Sequence, residues 1–168
     1  MKTAIVVGHD KINQGAFSNI LKQSEFAFNN EVAKLLPYDV YFRNEKIKGY
    51  KNQIQELAQR VNEKHYDLVI ELHFNMFNGK AKGCECLYFK GSKIGKEQAE
   101  KLCDVITKDF GNINRGAVAI DNEKGRGYWF LKLINAPALI VEPFFGDNEE
   151  TIAFKNKMKY AKTLIDNL

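Results

Sequence analysis

The sequence predicts an α/β domain with a mostly parallel or mixed central sheet of about six strands and helices on both faces. Three observations predict it. The apolar runs Lys2–Val7, Leu68–His73 and Ala138–Glu142 have the length and composition of strands buried on both faces. Stretches with helical spacing of apolar residues lie between the strands. No linker, repeat or composition shift divides the 168 residues, so one domain is expected over 1–168.

Lys2–Val7 is the first strand, closed by Gly8-His9-Asp10, where Gly8 lets the backbone turn sharply or pass close to a ligand. Asp10–Ser24 is polar and reads as a loop over the strand's carboxyl end. Ser24 caps a helix reaching Leu36, with Phe28, Val32, Leu35 and Leu36 as its buried stripe and Pro37 as its stop. Asp39–Arg43 is a short strand. Tyr50, Ile54, Leu57 and Val61 mark a second helix, and Leu68–His73 is the next strand. This β-α-β-α-β order implies right-handed crossovers. Asn75–Gly83 is a loop and Cys84–Phe89 a strand. Gly91-Ser92 opens a third helix with Ala99, Leu102, Ile106 and Phe110 inward and Gly111 as its stop. Asn112–Arg126, polar and Gly-rich, reads as a loop facing substrate. Tyr128–Ile134 is a short helix and Ala138–Glu142 the last strand. Asn148 caps a final helix with Ile152, Phe154, Met158, Ala161, Ile165 and Leu168 on its buried side.

Composition excludes several classes. With 45% apolar and 27% charged residues the chain can bury a core and is not disordered. No apolar stretch approaches the roughly 18 residues of a membrane span, so no stable membrane insertion is expected. The apolar part of the N-terminus is shorter than the roughly 7–15 residues of a secretory core, so no signal peptide is expected. The three cysteines, 84, 86 and 103, form no C-x-x-C and read as free thiols of a reducing compartment. A formal charge of +4 suits work on an anionic surface, but the lysines are scattered and no nucleic-acid partner is expected. There is no G-x-G-x-x-G and no P-loop.

His9, His73 and Glu142 each end an apolar strand, and open α/β sheets bind ligands outside the carboxyl ends of their strands. Glu25 stands in the first turn of a helix. A carboxylate is favoured there by the helix dipole, and the same position carries it over the sheet edge beside His9. Two imidazoles and one carboxylate, with one position left for water, are a catalytic zinc set. A second carboxylate outside that set can act as the base. Neither histidine lies in an H-E-x-x-H helix. His65, beside Lys64 and Tyr66, reads as a surface residue.

Five segments carry a resemblance: Val7-Gly8-His9; Glu25 with the helix Phe28–Leu36; Leu72-His73-Phe74-Asn75; Gly83-Cys84-Glu85; and Asn135–Asn148. In this order and spacing the chain, from about residue 3 to 165, resembles the zinc-dependent N-acetylmuramoyl-L-alanine amidases, in the branch that includes phage endolysins and cell-wall hydrolases. The resemblance implies Zn2+ held by His9, Glu25 and His73, with Glu142 as the catalytic glutamate. It implies peptidoglycan as the partner and hydrolysis of the amide between N-acetylmuramic acid and the first L-alanine of the stem peptide. The alternatives are another zinc amidohydrolase of the wall, a carboxypeptidase or deacetylase, and a non-catalytic wall-binding module. No separate wall-binding domain is expected, so the positive charge or self-association would serve retention on the wall. The expected route is synthesis in the bacterial (host) cytoplasm and release through lysis or another non-classical path.

Four further residues are candidates for substrate contact or for bracing the site. Glu71 replaces the small polar residue usual in the family two positions before the second histidine. In a strand it shares a face with His73, so it either supports that ring or competes with Glu25 for the metal. Asn75 belongs to the family's H-x-N pattern and Glu85 to its G-x-E pattern. Arg115 either contacts a stem-peptide carboxylate, which suits its planar fork, or is solvated. Pro143 stiffens the segment after Glu142.

Overall fold

The four strands that place the site lie side by side because their residues are apolar on both faces. The computed structural model describes residues 1–168. β1 (Thr3–Val7) pairs in parallel with β4 (Asp39–Phe42) on one side and β5 (Leu68–Leu72) on the other. β8 (Ala138–Glu142) continues the parallel set beside β5. β6 (Cys84–Phe89) then runs antiparallel to β8 and carries β7 (Asn114–Ile120) in parallel at the far edge. The order is β4-β1-β5-β8-β6-β7, a mixed six-stranded sheet. A two-stranded ribbon, β2 (Phe17–Ser18) and β3 (Gln23–Ser24), stands apart.

Period-two alternation divides the buried residues between two faces. Ile5, Val7, Ile70, Leu72, Leu139 and Val141 face a larger core of 24 buried residues. There they meet α1 (Glu25–Ala33), α3 (Lys93–Phe110) and α5 (Lys157–Ile165). Ala4, Val6, Val69, Leu87 and Ile140 face a smaller core of 15, covered by α2 (Tyr50–Asn62) and α4 (Tyr128–Leu133). The helix starts are chemically marked: the Ser24 hydroxyl accepts from Ala27 N–H and the Ser92 hydroxyl from Gly95 N–H. Gly111, at φ 71°, ends α3 in the left-handed conformation that glycine adopts at least cost. No helix is long and apolar enough to cross a membrane.

The expectations fail in four places. Asp10–Ser24 is not one loop, because it holds the ribbon of β2 and β3. Asn112–Arg126 is not one loop, because Asn114–Ile120 forms β7. The final helix is two pieces, a 3-10 segment Glu149–Lys155 and then α5, which is capped by the Asn156 side chain. The break shifts the helical phase, so Phe154 and Ala161 are buried while Ile152, Met158 and Ile165 are exposed. Leu35 is also exposed, since α1 ends at Ala33 before the expected stripe is complete. The three cysteines are free and buried; the Cys103 thiol beside them and burial push Cys84 and Cys86 up, so they pack as small apolar groups.

An aromatic block holds the carboxyl edge against the larger core. Phe144 stacks on Phe74 at 5.2 Å between centroids, meets Phe28 edge-on at 5.4 Å and touches Phe154 at 4.5 Å. Phe144→Ala should cost about 3–5 kcal/mol in a urea unfolding curve. A loss under about 1 kcal/mol would show that the neighbours close the gap.

Candidate functional site

The carboxyl edge of β1, β5 and β8 opens into a cleft of about 760 Å³ on the side covered by α2 and α4. Glu71 and Glu142 point to this side because each lies two residues beyond a residue of the smaller core, Val69 and Ile140. Glu85 reaches it from the opposite direction: β6 is antiparallel to β8, so its second residue is the register partner of Glu142.

His9, Glu25 and His73 form one cluster whose donor atoms lie within 4.8 Å of one another. Glu25 is the bridge. Its Oε2 lies 3.0 Å from His9 Nε2 and its Oε1 lies 2.6 Å from His73 Nδ1. The backbone N–H groups of Ala16 and Phe74 also donate to it, at 3.3 Å and 3.1 Å. His9 has φ 66°, a left-handed conformation uncommon outside glycine. The turn behind it is fixed by the Asp10 carboxylate, which accepts from Ile12 N–H at 2.8 Å, Asn13 N–H at 2.7 Å and Gln53 Nε2 at 3.0 Å. The expected role of Gly8 takes a specific form: it makes room for a protein side chain, since a Cβ there would lie 2.4 Å from His73 Nε2.

The electrostatics favour a cation. Burial alone would raise Glu25, but His73 and His9 outweigh it and hold the carboxyl well below its ordinary range. Burial pulls the His73 imidazole down, but Glu71 and Glu25 overcome that and lift it to about 10. A ring held this way carries a proton that a metal ion replaces. Two imidazoles and a carboxylate converging beside further carboxylates fit a divalent transition metal.

Glu142, buried at the end of β8, is lifted to about 7; burial is the main cause, His73 and Arg126 oppose it, and the Glu25 and Glu85 carboxylates add to it. Arg126 Nη1 lies 3.5 Å from Glu142 Oε1 and donates to Asn75 Oδ1 at 2.8 Å, while its Nη2 pairs with Glu85 Oε1. Asn75 Nδ2 donates to Glu85 at 3.1 Å, and Arg115 Nε donates to the other Glu85 oxygen at 2.8 Å. Asn75, Glu85 and Arg115 are therefore joined in one network, with Arg115 turned to Glu85. Glu71 is fully buried and pairs with Arg43. His65 is on the surface, between α2 and β5.

Two residues of the site went unread in the sequence, Arg43 and Arg126. Arg126 stands between two glycines in the connection from β7 to α4, and nothing in that pattern separates it from a solvated arginine. Arg43 closes an exposed edge strand. Gly8→Ala should lower the metal content of the purified protein about tenfold, by elemental analysis, because His73 must move. Unchanged content would mean that the ring relocates without cost to binding.

A model of the N-acetylmuramoyl-L-alanine amidase family matches residues 4–168. The catalytic domain of the CD27L endolysin, which targets Clostridia difficile, is 30% identical with a TM-score of 0.81, over 99% of this chain and 96% of that one. Cwp6 from Clostridium difficile shares the fold at 23% identity and a TM-score of 0.77, over 99% of this chain and 29% of that one. The N-acetylmuramoyl-L-alanine amidase from Clostridium difficile 630 does so at 21% identity and 0.76, over 98% and 93%. No curated protein matches the chain. The family match over nearly the whole length, with a His-Glu-His cluster able to hold a metal ion at the sheet edge, shows that the chain belongs to the N-acetylmuramoyl-L-alanine amidases, cell-wall hydrolases that cleave the bond between muramic acid and L-alanine.

Proposed function

We propose that His9, Glu25 and His73 hold Zn2+ and that Glu142 is the general base for hydrolysis of the N-acetylmuramoyl-L-alanine amide in peptidoglycan. The observation that carries this reading is the convergence, in one cleft, of a three-donor cluster and a separate buried carboxyl raised to about 7. Zinc, when bound, supplies a Lewis acid that polarises a carbonyl and acidifies a water.

The chain's own groups do the rest. Glu25, the one anion among the three ligands, offsets part of the ion's charge. Glu142 accepts the proton of the attacking water and returns it to the leaving amine of L-alanine. Burial lifts this carboxyl above the ordinary carboxylate range, which makes it a better proton acceptor than a solvated glutamate and still able to return the proton. Arg126 holds Glu142 at one oxygen and opposes the rise caused by burial. Asn75 and Glu85 in turn hold Arg126, and Arg115 neutralises the far side of Glu85.

Glu142→Gln should reduce turnover on purified cell walls by about 10²–10⁴-fold while metal content stays at the wild-type level. Turnover close to wild type in that variant would remove Glu142 from the role of base. The soluble products should be stem peptides with a free L-alanine amine, and release of D-alanine or acetate instead would point to a carboxypeptidase or a deacetylase. The base works only when ionised, so kcat/KM should be lost as pH falls through an inflection near or below 7, because a bound dication lowers the group from its value without one. Arg126→Gln removes a cation beside Glu142 and should move that inflection to higher pH; an unmoved inflection would mean that Arg126 does not act on the base.

A further inference from the structure

An imidazole binds a metal through one nitrogen, and the partner of its other nitrogen decides which one is free. His73 Nδ1 faces Glu25 at 2.6 Å and through it the rest of the cluster, while His73 Nε2 faces Glu71 Oε2 at 3.3 Å. No other donor serves that oxygen, which is fully buried. An Nε2–H bond from His73 would satisfy it and leave the Nδ1 lone pair directed at the cluster. Turning the ring over would set carbon atoms against both carboxylates.

Glu71 is itself held. Arg43 Nη2 donates to its other oxygen at 2.5 Å, and the Arg43 guanidinium lies over the Tyr50 ring at 4.9 Å. Arg43 is 8% exposed and Glu71 0%. Such a buried pair adds little stability over apolar residues of the same volume. Its use lies in the second carboxylate oxygen, which rests on the imidazole. The register delivers it: Glu71 stands opposite Val6 on β1, two residues ahead of His73, and the missing Cβ of Gly8 leaves room for the ring.

We propose that Arg43 and Glu71 are positioning residues of the metal centre, a buried chain that fixes the tautomer and the orientation of His73 so that Nδ1 is its ligand atom. This rests on the reading of His73 as a ligand given above. It also chooses between the two roles open to Glu71: support of His73 rather than competition with Glu25.

The test is zinc affinity of the full chain, measured by competition with a chromophoric chelator, alongside thermal melting of the metal-free protein. Glu71→Gln should weaken zinc binding about 10–100-fold. Because that change strands Arg43 in the interior, the double variant Arg43→Met, Glu71→Gln is also needed. It removes both charges and should fold as well as the wild type, yet still bind zinc at least about tenfold more weakly. In ¹⁵N NMR of the wild-type protein loaded with zinc, His73 should carry its proton on Nε2. A folded double variant within about twofold of wild-type affinity, or a proton on Nδ1, would overturn the proposal. His73→Ala is the control that separates the two levels. If it loses zinc while the Glu71 variants keep it, only the positioning chain fails; if it keeps zinc, the metal centre itself was misassigned.

Discussion

The Glu25 carboxylate, shared between two imidazoles at the edge of the sheet, is the interaction on which the rest of the site depends. An anion at that depth is tolerated only where its oxygens are fully engaged. Here two histidines and two backbone N–H groups engage them. Meeting that requirement fixes the path of the chain on both sides. The loop after β1 must turn His9 inward, and α1 must begin just where Glu25 reaches the edge. The chain after β5 must present both the His73 ring and the Phe74 amide.

The same demand recurs across the cleft with different partners. Glu71 is matched by Arg43, Glu85 by Arg115 and Arg126, and Glu142 is left the least compensated of the four. That inequality is the source of the division of labour. Carboxylates with strong partners stay ionised and hold geometry. The one whose partner is a single long contact at 3.5 Å is free to change its protonation state.

Legibility in the sequence follows the same physical line. Five of the six strands of the main sheet were visible, because the buried ones are near-continuous apolar runs and β4 alternates between α1 and α2. β7 was not, because it is an edge strand that pairs only with β6 and carries Asn114, Arg115 and Gly116 before its first apolar residue. The final helix misled because a single apolar stripe was drawn across Asn156, where the chain changes from 3-10 to α. His9, Glu25, His73 and Glu142 stood out because each ends or begins a regular element, and the resemblance to the amidases assigned their roles. Arg43 and Arg126 did not, since an arginine's meaning depends on which carboxylate folding sets beside it.

The antiparallel entry of β6 means that the site is assembled from two halves of the sheet. His9, Glu25 and His73 come from β1, α1 and the end of β5, whereas Glu142, Arg126 and Glu85 come from β8, β6 and the connection after β7. The seam between these halves is the β5–β8 pairing, four residues long and entirely apolar apart from Glu71. A single hydrogen-bonded strand pair therefore sets the distance between the His-Glu-His cluster and Glu142, and a change in that pairing would move one relative to the other.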